Sequence, residues 1–433
     1  MIDKIVTILK KNDIDAWKII LSQTEGAQGY YIQDNLEMIR NQNSIEIDLT
    51  VYKDFEEGEN KFRGSMRINL FPTMTDQEID EKIKLAIKGS LSVKNKWFPL
   101  TKNNDNDLNL KFPPVQLDKK NIFDWITTIG KDLFSHKSSD ITFNATEIFI
   151  SKINYTFLNS EGVNHTHTKY SGLIELVTTA TGSSGEEIEL FNLLEFSDYS
   201  KDWLDNKVKT QIESTLDRTK TIQLPILTDI PVIIKRTAIR EFFSYFYMKS
   251  NARTIFEGMS NYEEDKTIQN GNGDPLTITI LPYLERSHFN KLIDDDGVIT
   301  KPINIINKGK VSHIISDIQF GTYLNKEITG KCYNIKVEPG SMKQTDYEKA
   351  PYLEAVEFSD FSMDSITGDF GSEIRLAYYY DGREKIAVTG GSITGKISTV
   401  IDSISLSENI ITDDGYMGPE FIYLKGIHIA GSK

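Results

Sequence analysis

The sequence predicts an α+β fold: N-terminal sheet-plus-helix units, then a large C-terminal, mainly antiparallel and barrel-like β domain. Three observations predict it. Ile45, Ile47, Leu49 and Val51 alternate with polar neighbours, the period of a half-buried strand. Thr75-Asp76-Gln77-Glu78 has the form of a capping box, which opens a helix. Beyond residue 220, short apolar runs alternate with turns, as β-rich domains do.

Taken in order, Ile2, Ile5, Ile8 and Leu9 have helical spacing within residues 1–17. Strands follow to residue 70, interrupted at Gly64-Ser65. The helix from Thr75 continues through Ile79, Ile83, Leu85 and Ile87 and ends near Ser90. Asn103-Asn104-Asp105-Asn106-Asp107 and Phe112-Pro113-Pro114 have the composition of a linker. A second unit repeats the order of helix, strands, helix: a helix over 118–134, strands over 141–157 and 174–181, and a helix over 197–219 with Trp203 and Val208 inward. Asn159-Ser160-Glu161-Gly162 reads as a turn and Gly182-Ser183-Ser184-Gly185 as a hairpin loop. The two units share no residue-level repeat. The third region has one helix at 235–258 and strands at 278–281, 303–306, 374–376, 386–388 and 422–424. The expected organisation is therefore 1–100, 101–220 and 221–433, the first two packed as one N-terminal domain with helices on one face of each sheet.

Composition narrows the function. With 433 residues, 39% hydrophobic and 26% charged, the chain has the make-up of a soluble globular protein of two or three domains. Cys332 is the only cysteine, which excludes an intrachain disulfide and a Cys-rich zinc cluster. A net charge of −14 repels phosphate, so nucleic acid is not an expected partner. Met1-Ile2-Asp3-Lys4 begins no apolar leader, and no run reaches the ~18 apolar residues of a membrane span. A cytoplasmic location with no membrane partner is expected, so the sequons at Asn144, Asn154 and Asn164 carry no weight.

No catalytic constellation stands out from residue types alone. The histidines are 136, 165, 167, 288, 313 and 428, and His165 and His167 are the close pair. Two apart on a strand, they face one side, either as metal ligands completed by a third residue or as polar residues on an exposed hairpin face. Asp294-Asp295-Asp296-Gly297 lacks the spacing of an EF-hand and reads as an acidic turn. Gly390-Gly391-Ser392-Ile393-Thr394-Gly395 matches neither a P-loop nor a dinucleotide fingerprint and reads as a turn at a strand end. Cys332 reads as a small buried hydrophobe, and Tyr378-Tyr379-Tyr380 as a strand that packs one face or lines a peptide groove.

Several segments together resemble the TldD/PmbA (TldD/TldE) family, also known as modulators of DNA gyrase. They are Asp295-Asp296-Gly297-Val298-Ile299-Thr300 with Ile306-Asn307-Lys308-Gly309-Lys310, Val337-Glu338-Pro339-Gly340, Gly368-Asp369-Phe370, Tyr380-Asp381-Gly382, the Val388–Gly395 run, Pro419-Glu420-Phe421 and Gly426–Gly431. Asn159-Ser160-Glu161-Gly162 resembles the family's middle turn. The resemblance implies a two-subunit metallopeptidase that cleaves unfolded peptides or matures peptide antibiotics such as microcin. In it a TldD-type chain holds zinc through H-E-x-x-x-H and a C-terminal Cys, with the Glu as general base.

On that pattern Glu241 matches the Glu, but Arg240 and Tyr245 stand where the histidines belong, and 413–418 contains no Cys. The resemblance thus implies a TldE/PmbA-type, non-catalytic subunit, a pseudoenzyme without zinc of its own, paired with a zinc-bearing TldD-type partner as a heterodimer. Gly390, Gly391 and Gly395 would let a peptide backbone approach. On residues alone, Phe242, Phe243, Tyr245, Phe246 and Met248 form an aromatic face of a core helix, and Glu241 pairs with Arg240 or Arg236. Two alternatives stay open. One is an active zinc peptidase with a divergent site at His165, His167 and His288 or His313. The other is a stand-alone peptide-binding homodimer.

Overall fold

In the computed structural model, which describes residues 1–103 and 110–432, the alternation at 45–51 is one stretch of strand β2 (Asn35–Glu57). The Asn104–Asp107 part of the expected linker lies outside the described residues. Strand β2 pairs antiparallel with β1 (Ala16–Ile32) and β3 (Asn60–Leu70). Ile47, Leu49 and Val51 are buried with Ile19 and Leu21 against helices α1 (Ile2–Leu9) and α2 (Asp76–Ser90). Ile45 is exposed because β3 ends with Leu70 opposite Ile47, leaving the earlier part of β2 without an outer neighbour. The predicted capping box is present. Thr75 Oγ1 accepts from the Glu78 backbone N–H, and Glu78 Oε2 accepts from the Thr75 N–H at 2.7 Å.

The second set comprises α3 (Ile122–Phe134), β5 (Thr142–Asn159), β6 (Asn164–Thr181), β7 (Glu187–Phe196) and α4 (Lys201–Arg218). The expectation of one sheet per unit needs correction. Strand β1 pairs with β5 from Lys18 opposite Asn159 to Ile32 opposite Ala145. A single sheet results, in the order β4-β3-β2-β1-β5-β6-β7, where β4 is Asn95–Lys96. The physical reason is the length of β1: an unpaired edge of 17 residues would leave a long row of backbone donors and acceptors open. All four helices bury their apolar stripes on one face, against Ile19, Ile47, Ala27, Tyr31, Ile150 and Leu176 among others. On the opposite face Phe157 and Val163 bury with Ile293 of the C-terminal domain.

The helix expected at 235–258 is two helices, α5 (Thr237–Lys249) and α6 (Ala252–Phe256). Asn251 breaks it: its side chain accepts from the Arg253 N–H at 2.9 Å and so caps a new helix. Phe242, Phe243 and Phe246 are buried between two sheets, beside Ile280 and Ile335 of one and Leu353 and Phe370 of the other. Most strand pairs there are antiparallel. In one sheet Val232–Lys235 lies between Tyr352–Phe358, parallel, and Phe421–Leu424, antiparallel. Among the described residues, no helix is long and apolar enough to cross a membrane.

Candidate functional site

The chain leaves the strand Val232–Lys235 through Arg236, whose φ of 64° is uncommon for a residue with a side chain. This turn starts α5 and aims the Arg236 guanidinium at Ser214 of α4, 2.7 Å away, and at Glu357. The turn faces a cleft of about 580 Å³ between β7 and α4 on one side and the C-terminal domain on the other. Arg240 and Glu241 line the same cleft. Arg240 Nη1 donates to Glu241 Oε1 at 3.1 Å, and its guanidinium carbon lies 3.8 Å from the centre of the Phe289 ring. A Cβ on Gly415 would come within 2.8 Å of Arg240 Nε, so glycine is needed there, and its φ of 64° agrees. Burial disfavours the Arg240 charge, and the nearby carboxylates of Glu241, Asp414 and Glu195 offset part of that.

The resemblance placed three residues on the zinc motif, and the structure brings two of them together. Residues five apart on a helix differ by about 140° around its axis. Arg240 lines the cleft, whereas Tyr245 packs away from it against Phe246 and Gly368. Arg240 offers only donors and Tyr245 is elsewhere, so these positions do not fit a zinc ion.

A constellation that sequence reading missed lies beside them. His288 Nδ1 is 2.7 Å from Asp414 Oδ2, and its Nε2 is 3.6 Å from Glu195 Oε2. The Asp414 carboxylate also accepts from the His288 backbone N–H at 3.2 Å. Among the described residues, Glu195, His288 and Asp414 form the one set of three that could hold a metal ion. The signal available was Asp413-Asp414, in the segment where the resemblance puts a cysteine; the partners on β7 and near residue 288 are distant in sequence. Across the cleft wall eight carboxylates face four fixed cations. Several are paired: Lys207 with Asp413, Arg236 with Glu357, and Lys235 with Glu354 at 3.7 Å. Tyr378 of the tyrosine run lines this cleft too, donating its hydroxyl to Asp217 at 2.7 Å.

The remaining candidates lie elsewhere. His165 and His167 are half-buried rather than on an exposed face, because that face of β6 meets the C-terminal domain. The His167 ring packs 5.1 Å from Tyr155 and 5.4 Å from Phe112, and burial pulls its pKa down to about 4. His313 is exposed, with Nδ1 2.9 Å from the Asn304 carbonyl. Asp294 Oδ1 accepts from the Asp296 and Val298 N–H groups, which makes the acidic turn an Asx turn, and Asp296 pairs with Lys18 at 2.5 Å. Cys332 is fully buried, and burial pushes its thiol up to about 12. A Cβ on Gly391 would lie 2.1 Å from the Ala430 carbonyl and one on Gly395 2.5 Å from the Phe370 ring. The close approach at these two glycines is to the chain itself.

Residues 228–431 match the family model described as PmbA/TldA metallopeptidase C-terminal domain. An uncharacterized protein of Methanocaldococcus jannaschii is 21% identical over 184 residues, which span 38% of this chain and 42% of that protein. TldE from Thermococcus kodakarensis superposes over 100% of both chains with a TM-score of 0.77 at 14% identity. A candidate modulator of DNA gyrase from Bacteroides thetaiotaomicron gives 0.78 at 16% identity, over 99% of this chain and 98% of that one. Another from Thermotoga maritima gives 0.77 at 14% identity with the same coverage. At these identities the structural likeness is one of fold.

Proposed function

We propose, from a C-terminal region that matches the PmbA/TldA metallopeptidase model, that this chain is the non-catalytic, TldE-type subunit of a two-chain metallopeptidase acting on unfolded peptides or antibiotic precursors. The observation that carries the reading is Arg240. A guanidinium paired with Glu241 and stacked on Phe289 sits where the resemblance puts a zinc ligand. It supplies a fixed positive charge among carboxylates without a metal's open coordination position. In this reading the cleft beside α5 is one wall of a peptide channel, completed by a TldD-type chain that brings the zinc and the general base. The gyrase label has weaker support, because the net charge of −14 opposes binding to DNA.

The test is elemental analysis of the purified chain together with cleavage of an unfolded peptide, alone and with a TldD-type subunit. The expected result is negligible zinc and cleavage only in the mixture. Stoichiometric zinc with chelator-sensitive cleavage by the chain alone overturns the reading.

Glu195, His288 and Asp414 favour a second reading, an active metallopeptidase with a divergent site. Two carboxylates and an imidazole are a reasonable donor set for a divalent ion. Against it, the neighbouring Arg240 charge repels a cation. Under that reading His288→Ala removes the metal, whereas under the first it changes no metal content.

A further inference from the structure

Behind His288, on the side away from the acidic cleft, lies a second cavity of about 220 Å³ between β5–β6 and the C-terminal domain. His288 borders both cavities. Their chemistry is opposite. The second holds Lys169, Lys291, His167 and the Tyr155 hydroxyl, and no carboxylate lines it among the described residues.

Two of these groups lack partners. Lys291 donates to Asp295 at 2.8 Å. Lys169 is half-buried and has no paired carboxylate among the described residues. Its pKa is lowered by burial and then by the Lys291 charge, against a smaller opposite effect of Asp295. The Tyr155 Oη is buried without a hydrogen-bond partner. An ammonium without a paired carboxylate, beside a buried hydroxyl without a hydrogen bond, is a costly arrangement that an anion would relieve. His167 remains neutral at pH 7, so it adds a hydrogen-bonding group and no charge. At about 220 Å³ the cavity has room for a carboxylate and its carbon.

We propose that this cavity binds a peptide carboxylate, with Lys169 Nζ and Tyr155 Oη as its donors. The inference rests on the peptide-channel reading and deepens it. A chain lying past His288 would place its anionic group among Lys169 and Tyr155 and any cationic group in the acid-rich cleft. Direction along the channel would then be set by charge. The carboxylate could be the C-terminus or a Glu side chain, and these are separated by the probes.

The experiment is binding, by calorimetry, of three acetylated tetrapeptides to the full chain and to its complex with a TldD-type subunit. They are tetra-alanine acid, tetra-alanine amide, and an amide with one alanine replaced by glutamate. The expected result is a Kd for the acid about ten-fold below that of the amide, the scale of one charge-assisted hydrogen bond. The Glu-containing amide then reports whether a side-chain carboxylate also fits. Lys169→Met should bring acid and amide to the same Kd, Lys169→Arg should restore most of the difference, and Tyr155→Phe should lose part of it. Circular dichroism of each variant checks that it folds. Equal binding of all three probes to the wild type overturns the site and leaves the peptide reading standing. A preference that survives in a folded Lys169→Met also overturns the site. No binding of any probe, to chain or complex, overturns both.

Discussion

The Arg240 guanidinium and the Phe289 ring are stacked with 3.8 Å between carbon and centroid, and Gly415 leaves the space that allows it. That contact joins α5 to the loop carrying His288 and to the turn carrying Asp414. It holds a permanent charge where Glu241, Asp414 and Glu195 need one. Arg240→Met keeps much of the bulk and removes the charge. It should destabilise the protein by about 0.5–1 kcal/mol in urea unfolding, because Glu241 is partly exposed and the buried charge that is removed was itself costly.

Asp294 gives a pH test. Burial, then the Asp296 charge, pushes its carboxyl up to about 6 in the folded chain. In the unfolded chain it ionises near the ordinary value of about 3.9. Between these values the folded state holds the extra proton, so this group's contribution to stability falls as pH rises from about 4 to 6 and is constant above. The stability of Asp294→Asn relative to wild type should therefore grow across that interval and then level off. Denaturant titrations at several pH values measure it.

His167 should act in the other direction. Burial, followed by repulsion from Lys169 and His165, depresses it to about 4. Its neutral form is favoured by folding, so its contribution is present above about 6.5 and is lost as pH falls towards 4. Replacing it with Phe should flatten the acid limb of the stability profile over that range.

Gly391 has a φ of 71°, and a Cβ there would meet the Ala430 carbonyl at 2.1 Å. Gly391→Ala should cost about 2 kcal/mol or more by displacing the C-terminal strand, measured as a lower Tm. Thr75→Ala removes one half of the α2 capping box and should cost about 1 kcal/mol in the same assay.

What the sequence disclosed was local. The capping box, the strand alternation and the turn at Asn159 each depend on neighbours a few residues away. At that turn Asn159 Oδ1 accepts from the Glu161 and Val163 N–H groups. What it concealed was long-range. Nothing near β1 announces β5 as its second partner, and nothing near His288 announces Asp414 or Glu195. The break between α5 and α6 was local and still missed, because Ser250-Asn251 fits a helical apolar period while Asn251 works as a cap. For the motif helix, identities alone exposed Arg240 as a non-ligand, but only the packing separates it from Tyr245, which lies against Phe246.

The seam between β1 and β5 also governs how the chain reaches this structure. Lys18 faces Asn159 and Ile32 faces Ala145, so the pairing closes across all of β2, β3, α2 and α3. Loop closure of that length must come before the central pairing is rewarded, which slows folding in proteins rich in non-local strand contacts. Until the seam forms, β1 presents a long open edge to other chains, so refolding yield should fall as protein concentration rises. Once formed, it ties the two N-terminal units into one sheet, so they should melt together in one transition.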